Sequence, residues 1–322
     1  MIARPFLSPG LTGSLCALAG SAILSINDMA IKALSGTYAL HQVILVRALI
    51  GLVFLLALMT VLRTPFHVLL TARPRGHLLR VGFVLMSNLT YFLGLAAMPL
   101  ADAVAIAFVS PLLVTLLSVL VLGEHVGPRR WIAVATGMLG VAIIYRPATE
   151  VFQPAAVLIL ISALCYAATH MMTRHMKATE SAFTLSFYVQ IGFVLLSAAM
   201  GLAVGDGHLG GSGNPSLDFL FRGWVWPAPS DWPAFLATGL SVTIGGLLVA
   251  QAYRLGEAAL IAPFEYAALP MAVIWGLAVF GTFPDLFGWI GIALICGSGL
   301  YTIWRETLRR GEMPDDTEGR GS

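Results

Sequence analysis

Residues 40–62 read LHQVILVRALIGLVFLLALMTVL, an unbroken apolar run in which Arg47 is the only formally charged side chain. It is close to the ~20 apolar residues that carry a helix across ~30 Å of hydrocarbon. A membrane-spanning strand is shorter and alternates polar with apolar positions, and this run does not alternate. It therefore predicts a membrane-spanning helix. Nine other stretches have the same character, giving spans at about 11–34, 40–62, 78–98, 101–123, 129–146, 154–175, 182–204, 233–254, 258–281 and 286–304. Hydrophobic residues make up 58% of the chain and charged ones only 11%, far from the balance of a soluble domain. The expected fold is an all-α integral membrane protein with ten transmembrane helices.

Arg4 followed by the apolar core from Leu15 to Leu24 is reminiscent of a cleaved leader. The apolar run continues through Ile31 and nine more spans follow, so the first span is expected to be retained. Cys16, Cys165 and Cys296 all fall within spans and are odd in number, which offers neither a disulfide framework nor metal-ligand spacing. A net charge of +2, thinly spread, excludes a nucleic-acid partner.

Basic residues of short loops stay on the cytoplasmic side. With the N-terminus inside, the inner loops and tails hold fourteen Lys and Arg, among them Arg63, Arg73, Arg75, Arg80, Arg129, Arg130, Arg174 and Arg254. The outer side receives Lys32, Arg146 and Arg222, while Arg47 lies within a span. Both termini are thus expected in the cytoplasm. The loop 205–232 is then external, a Gly-rich flexible segment ending in an aromatic belt of Trp224, Trp226 and Trp232. Residues 306–322 form a short polar, Gly-rich tail expected to be disordered.

The chain also repeats itself. Shifted by 158, Ala97–Ala103 falls on Leu255–Ile261 and Trp131-Ile132 falls on Trp289-Ile290; shifted by 142, Asn27-Asp28 falls on Thr169-His170 and Lys32 on Arg174. Residues 1–150 and 151–305 are therefore expected to be two five-helix repeats. Five spans being odd, the second copy must insert upside down, the arrangement of alternating-access transporters.

On these residues the chain resembles the EamA-type members of the drug/metabolite transporter superfamily. The marks are Asn27-Asp28 with Lys32, Arg47, and Leu122-Gly123-Glu124 in the first half. In the second half they are Pro263-Phe264-Glu265-Tyr266, Gly276 through Pro284, Trp289-Ile290-Gly291 and Gly299-Leu300-Tyr301. One departure is visible: Thr282 stands where Glu124 stands in the first copy, so that carboxylate has no duplicate. The resemblance implies ten helices, a central cavity lined mostly by spans 1, 3, 4, 6, 8 and 9, and passage of small metabolites across the inner membrane. It implies no cofactor.

Charged side chains in a span cost several kcal/mol unless paired or hydrated, so each is a site hypothesis. Glu265, two residues after Pro263, is the foremost candidate, to bind a substrate amine or to take up a proton and couple transport to the proton gradient; the alternative is a structural carboxylate. Asp28 and Arg47 match in depth and oppose in charge, which suggests a buried ion pair between spans 1 and 2, with Asp28 also facing the cavity. His170 is either a proton relay or a residue reaching toward the membrane edge near Arg174, His175 and Lys177. It lies five residues from His175, off its helical face, which argues against a metal site.

Asn88, Tyr91, Ser110, Tyr166 and Gln251 are candidate polar contacts for substrate, and Phe264 and Trp275 candidate aromatic walls; taken singly, each is better explained as helix packing. Gly94, Gly137, Gly140, Gly245, Gly246 and Gly276 are expected to allow close helix approach, and small-residue faces on the fifth and tenth spans to serve internal packing or a homodimer.

The sequence reads best as a permease for a small amphipathic metabolite such as an amino acid, an amine or an S-adenosylmethionine-like compound. It has no phosphate-binding loop for ATP, so exchange or protons would drive it. A flippase for a lipid-linked intermediate is the alternative. A membrane-embedded enzyme using Glu265 and His170 is weaker, because no nucleophile motif or metal cluster accompanies them.

Overall fold

The computed structural model describes residues 9–122, 128–145, 154–256 and 261–311. Its elements are α1 (Pro9–Leu34), α2 (Leu40–Val61), α3 (Pro74–Ala96), α4 (Leu100–Ala107), α5 (Ser110–Leu122), α6 (Pro128–Tyr145), α7 (Pro154–Met176), α8 (Ala182–Val204), α9 (Pro215–Phe221), α10 (Trp232–Leu255), α11 (Ala268–Phe280) and α12 (Leu286–Gly311). Among the described residues there is no strand. Six of these segments are long and apolar enough to cross a membrane: Gly10–Leu34, Leu40–Val61, Pro74–Ala96, Pro154–Met176, Ala182–Val204 and Pro229–Leu255.

Several expectations are corrected. The fourth span is not one helix. Its two parts meet at Phe108 and Val109, where Val109 N bonds to Ile106 O at 3.1 Å and Leu112 N to Val109 O at 3.0 Å, three-residue rather than four-residue steps. Pro111 has no N–H to donate back one turn, so the ladder breaks there. The ninth span is likewise not a uniform α-helix: Ala262–Ala267 forms a 3-10 turn before α11 begins. Residues 123 and 257–260, parts of these two spans, lie outside the described residues. At the other end of the chain α12 continues through residues 306–311, so the stretch read as a disordered tail begins as helix.

The loop 205–232 is not the flexible segment its glycines suggest. Asn214 caps α9 by accepting from Ser216 N (3.0 Å) and Leu217 N (3.3 Å), and Ser216 Oγ donates to Leu93 O at the end of α3 (2.6 Å). The following residues form a strap across α1 and α2. Arg222 Nη1 donates to Ser35 O at 2.8 Å, Val225 N to Gln42 Oε1 at 3.3 Å and Tyr38 Oη to Asp231 at 2.6 Å. Flexible composition is overridden because the bundle offers these segments specific hydrogen-bond partners. The Asp231 carboxylate and burial together raise the Tyr38 hydroxyl pKa, with the bond to Asp231 the larger cause.

Helices pack in definite partners: α1 on α10, α3 on α7, α2 on α8 and α6 on α12. Small residues set the closest crossings. A side chain at Gly245 would meet Gly20 O at 2.9 Å, and one at Gly94 would meet Ala155 O at 2.7 Å. On the fifth span Gly137 of α6 packs internally, against Leu112 and Ser298 of α12.

Candidate functional site

A cavity of about 260 Å³ lies in the middle of the bundle, walled by α1, α3, α4, α5, α7, α8, α10 and the 3-10 turn that carries Glu265. Of the residues singled out in the sequence, Asp28, Asn88, Tyr91, Ser110, Tyr166, His170 and Glu265 all line it. Gln251, Phe264 and Trp275 do not. Gln251 Oε1 accepts from Arg254 Nη1 at 2.8 Å near the end of α10, Phe264 packs on the apolar cluster around Ala17 and Val249, and Trp275 Nε1 donates to Ser25 Oγ at 3.1 Å. Phe264 and Trp275 thus hold helices together, while the Gln251 bond lies within α10.

Two polar clusters occupy the cavity. Toward the strap, Tyr91 Oη donates to Asp28 Oδ2 at 2.9 Å and Asn27 Nδ2 to Asp28 Oδ1 at 3.1 Å. Arg47 is fully buried and does not pair with Asp28, which corrects the expected ion pair. Its Nη1 reaches Asn27 Oδ1 and its Nη2 reaches Asn88 Oδ1, both at 3.4 Å, so Asn27 bridges the two charges. The guanidinium lies 4.6 Å from the centre of the Phe193 ring and 5.5 Å from that of Phe92, a cation–π sandwich that explains how a charge survives there. Four residues on from Asp28, Lys32 Nζ donates to Leu95 O (2.9 Å) and Met98 O (2.7 Å), satisfying carbonyls at the end of α3.

At the opposite end Tyr166 Oη donates to Glu265 Oε2 at 2.8 Å, while Glu265 Oε1 has no hydrogen-bond partner. His170 is stacked on Tyr253 (3.9 Å between ring centres, 20°) and meets Tyr166 edge-on at 4.1 Å. Only 4% of it is exposed and its Nε2 is unpartnered. It does not reach for the membrane edge, because aromatic rings on both sides hold it inward.

The sequence reading missed Arg80. Counted there among loop cations, it lies within α3 and lines the cavity, with Nε donating to Thr173 Oγ1 (2.8 Å) and Nη1 to Leu185 O (3.2 Å). Position 80 already falls inside the span expected at 78–98, and Pro74 in the first turn starts α3 earlier still, which sets Arg80 well within the helix. Ser87 and Ser162, bonded to each other across α3 and α7 at 3.1 Å, and Gln190, bonded to Thr243 at 2.9 Å, also line the wall. Gly123 and Glu124 of the family-like motif lie outside the described residues.

A multi-pass helical membrane protein built around a buried polar cavity is the class this architecture defines. Residues 11–146 match the EamA-like transporter family. The chain belongs to that family, within the drug/metabolite transporter superfamily, and is a small-metabolite transporter rather than an enzyme. Among its relatives is a riboflavin transporter of Rhizobium johnstonii, 30% identical over 82% of this chain and 81% of that protein. An S-adenosylmethionine uptake transporter of Rickettsia prowazekii is 24% identical over 74% of this chain and 75% of its own length. A crystal structure sharing 21% identity superposes with a TM-score of 0.68 over 94% of this chain and 99% of that one, which shows a common fold.

Proposed function

We propose that the chain is an inner-membrane secondary transporter made of two inverted five-helix repeats, residues 1–150 and 151–305, with both termini in the cytoplasm. It moves a small amphipathic metabolite, such as an amino acid, an amine or an S-adenosylmethionine-like compound, by alternating access. The observation that carries this reading is that the main helix contacts map onto one another when the halves are exchanged, although the packing of α8 on α10 has no equal in α2 and α3. The offsets seen in the sequence relate α1 to α7, α2 to α8, α3 to α10, α5 to α11 and α6 to α12. The contact of α1 with α10 becomes that of α7 with α3, and the contact of α5 with α7 becomes that of α11 with α1. Helices α2 and α8, and α6 and α12, pack on their own counterparts.

Details follow the same rule. Shifted by 142, Gly20 falls on Ser162, and shifted by 158, Ser87 falls on Gly245, so the close crossing of Gly20 with Gly245 answers to that of Ser162 with Ser87. Ser110, where α5 begins, falls on Ala268, where α11 begins. Two near-equivalent halves around one cavity support two mirror-related packings, each opening it to one side.

Within this reading Glu265 carries the proton-coupling role. It is a buried carboxylate with one oxygen unclaimed, able to exchange a proton for a cargo amine. Asp28, Asn88, Tyr91, Ser110, Tyr166 and His170 line the cargo's path. The relatives' cargoes, riboflavin and S-adenosylmethionine, set the size class of probe. The test is counterflow in proteoliposomes with labelled amino acids, S-adenosylmethionine and riboflavin, comparing wild type and Glu265→Gln at two pH values. Uptake that responds to pH in the wild type and is lost or made pH-independent in Glu265→Gln is expected. Uptake indifferent to the substitution sinks the role of Glu265, and silence across the panel with uptake of a lipid-linked probe sinks the metabolite reading.

A further inference from the structure

Arg80 is 6% exposed, lines the cavity and has no carboxylate within ion-pair distance among the described residues. Its two protein hydrogen bonds go to neutral acceptors, Thr173 Oγ1 and Leu185 O, which leaves Nη2 without a protein acceptor among those residues. The nearby acid is otherwise engaged: Glu180 accepts from Thr71 Oγ1 at 2.8 Å and lies 3.2 Å from His77 Nε2. A second polar group on the same cavity wall lacks a partner. His170 precedes Thr173 by three positions on α7, one turn along the same face, and its Nε2 is buried and unpartnered. Buried cations are ordinarily paired, because an unpaired charge in a low-dielectric site is costly. The contrast with Arg47 is direct, since that guanidinium is enclosed by two aromatic rings and bound by two asparagines.

We propose that Arg80, on the cavity wall that also carries His170, is the anion subsite of the transport cavity and receives a carboxylate or phosphate group of the cargo. The inference rests on the transport reading above and narrows it. Glu265 and Asp28 present negative charge elsewhere in the same cavity, so the cargo it suits carries an anionic group at one end and a cationic or hydrogen-bond-donating group at the other. The planar guanidinium fork matches a carboxylate or phosphate better than an ammonium would.

Two pairs of probes test it, each an acid and its neutralised or dephosphorylated partner: S-adenosylmethionine with its carboxyl methyl ester, and flavin mononucleotide with riboflavin. Binding is read as thermal stabilisation of the purified full chain and transport as counterflow in proteoliposomes. In the wild type the acid of one pair is expected to bind about tenfold or more tightly than its partner, the scale of a charged hydrogen bond. The pair that shows this tells carboxylate from phosphate. Arg80→Gln is expected to bring the two members within about twofold, and Arg80→Lys to retain a reduced preference for the acid.

Equal binding within both pairs, a preference for the neutral members, no binding of either acid, or a preference untouched by Arg80→Gln overturns the proposal. If Arg80→Gln fails to fold, the wild-type ratios and Arg80→Lys still decide. Counterflow of riboflavin or the ester as fast as the acids overturns the subsite and leaves transport standing. Acid-selective binding without counterflow does the reverse.

Discussion

The two ends of the cavity hold similar side chains in different states of completion. Toward the strap, both oxygens of Asp28 accept a hydrogen bond and Asn27 ties the carboxylate to Arg47, whose charge lies against two aromatic rings and whose Nε is the one atom of that cluster without a partner. At the far end Tyr166 and Tyr253 both serve Glu265 yet its Oε1 has no partner, His170 Nε2 has none, and Arg80 leaves Nη2 to the cavity. Completed buried networks fix a structure, and incomplete ones cost free energy unless something supplies the missing partner. The difference therefore separates a scaffold from a site within one continuous wall, although both are built from an acid, a tyrosine and an arginine.

The largest effect expected from breaking this contrast is at Arg47. Arg47→Met strips Asn27 and Asn88 of their donor and leaves the Asp28 carboxylate without its counter-charge, for a loss of about 3–5 kcal/mol. Thermal unfolding in detergent would register it, and Asp28→Asn in the same chain should restore part of the loss. A midpoint that does not move would mean that the strap-side network is not a scaffold.

A smaller and sharper comparison pairs two tyrosines. Tyr91→Phe and Tyr166→Phe each remove one donor to a buried carboxylate, worth about 1–3 kcal/mol. The first is expected to appear mainly as lowered stability and the second mainly as lowered counterflow. Equal profiles for the two variants would erase the distinction.

The smallest effect lies outside the cavity, in the turn that leads into α9. Asp218 accepts from Ser212 N (2.7 Å), Ser212 Oγ (2.9 Å) and Gly213 N (3.2 Å), and the Ser212 hydroxyl leads in holding its pKa below the usual carboxylate value. A depressed pKa contributes stability above the unfolded value, about 3.9, that is lost as pH falls through the folded one. Amide exchange at Ser212 and Gly213 should accelerate below about pH 4 relative to the neighbouring α9 amides, and a flat ratio would discount the contact.

How much of this was written in the sequence depends on contrast. Asp28, His170 and Glu265 stand out because a polar group in a long apolar run is conspicuous, and the cavity takes in all three. Arg80 escaped because it follows Arg73 and Arg75, where another arginine looks like loop chemistry. The broken fourth span was hidden for a related reason. Residues 101–123 are uniformly apolar, and only Pro111 marks the missing donor. Partner choice was not legible either. Asp28 and Arg47 match in depth and charge, yet Asn27 intervenes at 3.4 Å from the guanidinium, a detail set by side-chain rotamers rather than by helix register. The strap was misread because glycine content reports local freedom and says nothing of the carbonyls of Ser35 and Leu93 that await Arg222 and Ser216.

That strap has one more consequence. Trp224 hydrogen-bonds through Nε1 to His41 and lies against Gly201, whereas Trp226, two residues on, is 91% exposed. The chain thus carries side by side a half-buried fluorophore held to a neighbouring imidazole and a second one that the protein leaves uncovered. With the other five of its seven tryptophans replaced, the emission of this pair can serve as a dial for whether this end of the molecule is latched, with no label added.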